Sequence, residues 1–218
     1  MIDKFVPDMA AALSGIKDGD VVLVPGFGNG MADTLLKGLL DCDATGMTLV
    51  ANSGGRDQGG VADLLASGKF HRLICSFVRA DSMAGRLFTA GKLELEIVPQ
   101  GTLAERLRAA GAGIQAFYTP TGADTLLAEG RETRIINGRN CLLEYPLLGD
   151  VALVDAWQAD RWGNLTHRES ARNFNPVMAM AAKLTIVQTK HKAELGDIPP
   201  EHVHTPGVFV HRVLHVPA

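Results

Sequence analysis

The sequence is short of the residues that would tie it to an oxidising compartment, a membrane or a nucleic acid. Its three cysteines, Cys42, Cys75 and Cys141, are too few and too far apart for a disulfide framework or a CxxC metal site. They read as small apolar residues of a reduced, cytoplasmic chain. No apolar run approaches the roughly 20 residues that span a bilayer, and the opening MIDKFVPDMAAAL lacks the apolar centre of a signal peptide. An excess of one charge is missing too. The 21 Lys and Arg against 24 Asp and Glu give a net charge of -3, which provides no basis for binding nucleic acid or an anionic membrane. Several catalytic patterns are also absent. A GxGxxG starting at Gly26 would need glycine where Met31 stands, no Gly-Lys-Ser/Thr follows the loop, and no serine lies in a GxSxG context. The seven histidines are scattered, and the close pairs His202/His204 and His211/His215 have no third ligand at suitable spacing, so no metal is expected.

What is present suits one globular domain over residues 1–218, with 46% hydrophobic and 21% charged residues. Glycine is plentiful at 24 residues, as expected of many tight strand–helix junctions. Short β-like runs at 21–24, 47–51, 72–77 and 93–99 alternate with helical patterns at 31–40, 60–66, 83–90 and 103–110. Further β-like runs follow at 114–118, 140–144, 151–158 and 184–188. This alternation predicts an α/β fold, an open and mostly parallel sheet flanked by helices. Three apolar stretches end in Gly and a cation, at Gly68-Lys69, Gly91-Lys92 and Gly130-Arg131, and read as helix stops. Turn signals beyond residue 130, Asn137-Gly138 among them, lead us to expect a more antiparallel second half.

The candidate site residues lie at the strand-to-helix junctions. Val24-Pro25-Gly26-Phe27-Gly28-Asn29-Gly30 joins the strand at 21–24 to an amphipathic helix, an arrangement whose loop amides and helix N-terminus attract a phosphate. Asn52 opens a second polar loop, NSGGRDQGG, at the same sheet edge. Thr102 and Glu105 have capping-box spacing for a helix starting near Leu103, which leaves Gln100 and Gly101 at the strand tip. A neutral amide there suits a carbonyl or a developing oxyanion. Thr121 and Gly122 close the run FYTPTG, which is a candidate lining of the same crevice. Glu144, an acid among apolar neighbours in LLEYPL, is either paired or functional. No persuasive nucleophile or base declares itself.

The strand–GFG–helix junction, VPQGTLAERLRAAGAGIQAFYTPTG, LLAEGRETR, LEYPL, DRWGNLTHRESARNFNP and TPGVFVHRV together resemble the α subunit of the two-subunit family I CoA-transferases, which act on 3-oxoacids such as 3-oxoadipate and acetoacetate. The resemblance runs over essentially the whole chain. It implies that the phosphate-bearing ligand is coenzyme A, with 24–30 as its binding loop and Gln100 as an oxyanion or orienting group. Asn52, Gly101, Thr121, Gly122 and Glu144 would then face the substrates. It also implies a partner, the CoA-transferase β subunit, in a heterodimer or heterotetramer. In this family a glutamate attacks the acyl-CoA thioester, passes through an anhydride and a glutamyl-CoA thioester, and hands CoA to the acceptor acid. That glutamate belongs to a Glu-Asn-Gly motif of the β subunit, and this chain has no Glu-Asn-Gly. The glycine loop is one residue shorter than the family pattern, with Pro25 before Gly26 and Ala32 where proline is usual.

Overall fold

The computed structural model describes residues 2–217. Along the chain run β1 (Phe5–Val6), α1 (Met9–Leu13), β2 (Val21–Val24), α2 (Asp33–Leu40), β3 (Met47–Ala51), α3 (Val61–Ala66), β4 (Phe70–Cys75), α4 (Met83–Thr89) and β5 (Glu94–Ile97). Then come α5 (Gln100–Ala112), β6 (Phe117–Thr119), β7 (Thr133–Ile136), β8 (Arg139–Glu144), β9 (Gly149–Asp160), β10 (Leu165–Thr166), α6 (Asn175–Ala181), β11 (Ala182–Ala193) and β12 (Arg212–His215).

The main sheet has the order β1-β12-β11-β9-β2-β3-β4-β5, every neighbouring pair parallel, with β10 added antiparallel to β9. Its central strand β2, VVLV, is apolar at every position because both faces are covered. In β2, Val22 and Val24 point into one hydrophobic cluster with Leu35, Leu36 and Leu39 of α2. Leu23 points into the other, with Leu103 and Leu107 of α5 and Met178 of α6. The period-2 alternation of a strand thus feeds two cores.

The predicted open parallel sheet is present, and two expectations are corrected. The second half is more antiparallel than the first, as expected, although β9, β11 and β12 join the parallel sheet. Antiparallel pairing is confined to β10 and to a small separate sheet, β6-β8-β7, whose β7–β8 hairpin turns at Asn137-Gly138 with positive φ at both residues. Helix α5 begins at Gln100, directly after Pro99, so Thr102 lies inside it and caps nothing. The Thr102 hydroxyl is buried without a partner and Glu105 pairs with Arg108 instead. Gly68 and Gly91 do stop α3 and α4 with φ of +73° and +66°, while Gly130 follows only a 3-10 turn. No helix among the described residues is long and apolar enough to cross a membrane.

Candidate active-site cleft

The chain leaves β2 for α2 on one face of the sheet. It leaves the adjacent β9 for α6 on the other face. Neighbouring parallel strands whose helices diverge open a crevice at their carboxyl ends, and here a cleft of about 740 Å³ lies there. Gly26, Phe27, Gly28, Asn29 and Gly30 form one wall, and Asn52 through Gly60 supply the opposite one.

Gly26, Gly28 and Gly30 have φ of +123°, +74° and +70°, backbone that other residues adopt only under strain. The turn is held by residues far along the chain. Asn173 accepts from the Gly26 amide at 3.1 Å and donates to the Asn29 carbonyl at 3.0 Å. Asn175, fully buried, donates to the carbonyls of Gly30 and Ala171 and accepts from the amide of Asp155. Gly30 lies so close to the Ala171 carbonyl that no side chain fits between them. The stretch 160–176 therefore folds as a clamp. Its first half is a turn in which buried Asp160 accepts from the amides of Trp162 and Asn164 and from the Asn164 side chain. Its second half grips the glycine turn. Within the turn, the amides of Gly28 and Asn29 find no acceptor among the described residues.

The start of α2 departs from the phosphate-cradle expectation. Ala32 offers no capping side chain, and Gln188 of β11 supplies the cap by accepting from the amides of Thr34 and Leu35 at 3.0 and 3.1 Å. The first helical turn also carries Asp33. The helix N-terminus is therefore occupied, and anion-binding capacity resides in the loop amides. The other end of the Gln188 amide donates to Asp155 at 2.9 Å. Burial pushes the Asp155 carboxyl above the usual carboxylate range, and nearby Asp33 pushes the same way. Behind the opposite wall, Gln100 at the start of α5 donates from Nε2 to Oδ1 of buried Asn52 at 2.8 Å; Asn52 lines the cleft, whereas Gln100 does not.

The remaining sequence-predicted residues divide. Val24 ends β2 beneath the turn, and Pro25 leads into it. Gly101 follows Gln100 in the first turn of α5. Thr121 and Gly122 do not line the cleft. The Thr121 amide bonds to Thr119 and the Gly122 carbonyl accepts from Thr125, closing a turn beyond the small sheet. Glu144 lies elsewhere too, on a second cavity of about 500 Å³ with Glu96, Arg106, Arg131 and Tyr145. It is buried and paired with Arg131 at 2.9 Å, and Arg106 lies 3.9 Å away. Sequence reading missed Asp155, Gln188, Lys190, Arg56, Asn173 and Asn175. Among the described residues, no group of three or more His, Cys, Asp or Glu is placed to hold a metal ion.

The sequence pattern of the family described as coenzyme A transferase matches residues 6–215. The chain belongs to the coenzyme A transferase family. It is 52% identical over 219 residues to the α subunit of 3-oxoadipate CoA-transferase from Pseudomonas putida, covering 99% of this chain and 95% of that protein. It is 46% identical over 212 residues to the α subunit of the succinyl-CoA:3-ketoacid coenzyme A transferase assigned in Bacillus subtilis, covering 97% and 89%. Among solved structures, an acyl-CoA transferase of Escherichia coli O157:H7 superposes with a TM-score of 0.87 at 20% identity. That match covers 98% of this chain and 47% of the other, so the chain spans about half of that protein and shares its fold. Within a coenzyme A transferase, the clamp at 160–176 gives that stretch of sequence a structural purpose, far along the chain from the glycine turn that it holds.

Proposed function

We propose that this chain is the α subunit of a two-subunit, cytoplasmic CoA-transferase that moves CoA from an acyl-CoA, such as succinyl-CoA, to a 3-oxoacid, such as 3-oxoadipate or acetoacetate. The whole chain serves as one domain, and its partner is the β subunit. One observation carries the reading. The cleft offers amide donors suited to an oxyanion at Gly28 and Asn29, with Gln100 behind its wall orienting Asn52, yet no glutamate lines it among the described residues. The carboxylates that do line it are Asp33, in the first turn of α2, and Asp155, engaged with Gln188. Donors without a nucleophile make half an active site, and the β subunit supplies the glutamate. When that glutamate attacks the thioester carbonyl, the oxygen gains negative charge, and fixed amide N–H groups stabilise it without reorganising. The glycine turn can serve in this way because Asn173 and Asn175 fix its shape.

The test is an assay of the chain alone and of its complex with the β subunit, using succinyl-CoA and a panel of short acids and 3-oxoacids while free thiol is followed. The expected result is transfer in the complex only, with little free thiol, and a fall of about 10- to 100-fold in kcat for Gln100→Ala. Thiol release without transfer identifies a hydrolase instead. Undiminished turnover of Gln100→Ala removes Gln100 from the oxyanion role.

A further inference from the structure

Two cations line the cleft, Arg56 and Lys190, and neither has a carboxylate within 4 Å among the described residues. The strand order β11-β9-β2-β3 separates them. Lys190 projects from β11, two strands from the glycine turn and beyond Asp155. Arg56 sits in the loop after β3, one strand from the turn and on the same side as Asn52 and Gln100. The Arg56 loop is built so that its acids are engaged elsewhere. Asp57 pairs with Arg86 at 3.1 Å, and Asp63, in the following α3, accepts from the amide of Gly59 at 3.0 Å. A guanidinium thus lines the cleft beside Asn52 without a hydrogen-bond partner among the described residues.

We propose that Arg56 binds the distal carboxylate of a dicarboxylic acyl group or acceptor acid, and so makes this cleft selective for dicarboxylates over their monocarboxylic counterparts. This rests on the CoA-transfer reading above. The dimensions agree. Adjacent strands are about 4.8 Å apart. In a succinyl or 3-oxoadipyl chain the far carboxylate carbon lies roughly 4–6 Å from the reacting carbonyl carbon, three or five bonds at about 1.3 Å each along the extended chain. With the carbonyl against the amides of Gly28 and Asn29, such a length spans to the neighbouring wall, which carries Arg56, and a guanidinium can bind both oxygens of a carboxylate there. A planar guanidinium suits that fork-to-fork contact better than an ammonium does. A monocarboxylic acid such as acetoacetate places only a methyl group there.

The experiment compares wild-type, Arg56→Gln and Arg56→Lys in the complex with the β subunit. Donor and acceptor react in separate half-reactions, so kcat/KM for each acceptor acid reports that acid's own encounter with the enzyme. For Arg56→Gln the expected result is a fall of roughly 10- to 100-fold in kcat/KM for 3-oxoadipate and succinate. Values for acetoacetate and butyrate should stay unchanged, with partial recovery in Arg56→Lys. An equal loss on all four acids, or a raised KM for every acyl-CoA whatever its acyl group, assigns Arg56 to a CoA phosphate and overturns the proposal. Unchanged values for all four acids overturn it as well. Calorimetric binding of succinate against butyrate to the same proteins separates this inference from the reading beneath it. If the wild-type complex transfers no CoA, the CoA-transfer reading fails by itself, and a selective loss of succinate binding in Arg56→Gln still supports the carboxylate site.

Discussion

Asn175 donates its side-chain amide to the carbonyl of Gly30 at 2.9 Å, across 145 residues of chain. The same amide holds the Ala171 carbonyl and the Asp155 backbone amide, so one fully buried side chain ties the glycine turn, the clamp and the middle of β9 together. Removing it leaves two carbonyls and one N–H, buried or half-buried, without their partners. Asn175→Ala is expected to cost about 2–4 kcal/mol. Urea denaturation should show this as a lower midpoint at constant slope, and amide exchange at 26–30 should quicken. An unchanged midpoint would show that water replaces the side chain without penalty.

The glycines of the turn should not respond alike. A β-carbon at Gly28 meets open space, so Gly28→Ala suffers only the left-handed backbone, about 1 kcal/mol. At Gly30 the same carbon collides with the Ala171 carbonyl as well. Gly30→Ala is expected to cost about 3 kcal/mol or more, because either the turn or the clamp must shift. Thermal denaturation of the two variants side by side is the check, and equal losses would contradict the close approach of Gly30 to the clamp.

Local features of the site were legible in the sequence, and distant ones were not. The β2–turn–α2 junction could be read because strand period, glycines and helix period all lie within 21–40. The clamp could be seen as a specific stretch, but its purpose depends on contacts that only the fold creates. The start of α5 was misread because capping-box spacing at Thr102 and Glu105 competed with Pro99, and the helix begins at Gln100, directly after the proline. The cap of α2 was invisible because Gln188 comes from β11 rather than from the neighbouring sequence. Glu144 could be read as paired or functional from its apolar neighbours alone. Its partner Arg131 enters from outside β8, where no sequence pattern links the two.

That pairing makes a prediction that separates stability from turnover. Glu144 is buried, and Arg131 and Arg106 both face it. Glu144→Ala leaves cationic groups without their shared acid, although Arg106 keeps Glu96 at 2.7 Å. The expected cost is about 2–4 kcal/mol, towards the lower end because Arg131 is partly exposed. Turnover in the complex with the β subunit should stay within about twofold of wild-type once the protein is folded. A fall in kcat at full folding would instead place Glu144 in the reaction.

His167 sets a pH dependence whose sign follows from burial. Its ring lies 5% exposed between the Asp155 carbonyl and the Thr205 hydroxyl, each 3.0 Å from a ring nitrogen. Burial pushes its pKa down to about 4, helped by nearby His204 and Arg172. The unfolded chain has a His pKa of about 6.5. Between these values the unfolded state binds a proton that the folded state refuses, so stability is lost as pH falls through this window. From pH 7 to pH 5 the loss assigned to His167 is about 2 kcal/mol. His204 and His211, also shifted down by burial, add to the same slope. Urea denaturation at several pH values should therefore show His167→Gln less stable than wild-type at pH 7 but with a shallower decline towards pH 5. A decline as steep as wild-type would mean that His167 takes up its proton in the folded chain, and the contact with the Asp155 carbonyl would then be a donated bond from a charged ring.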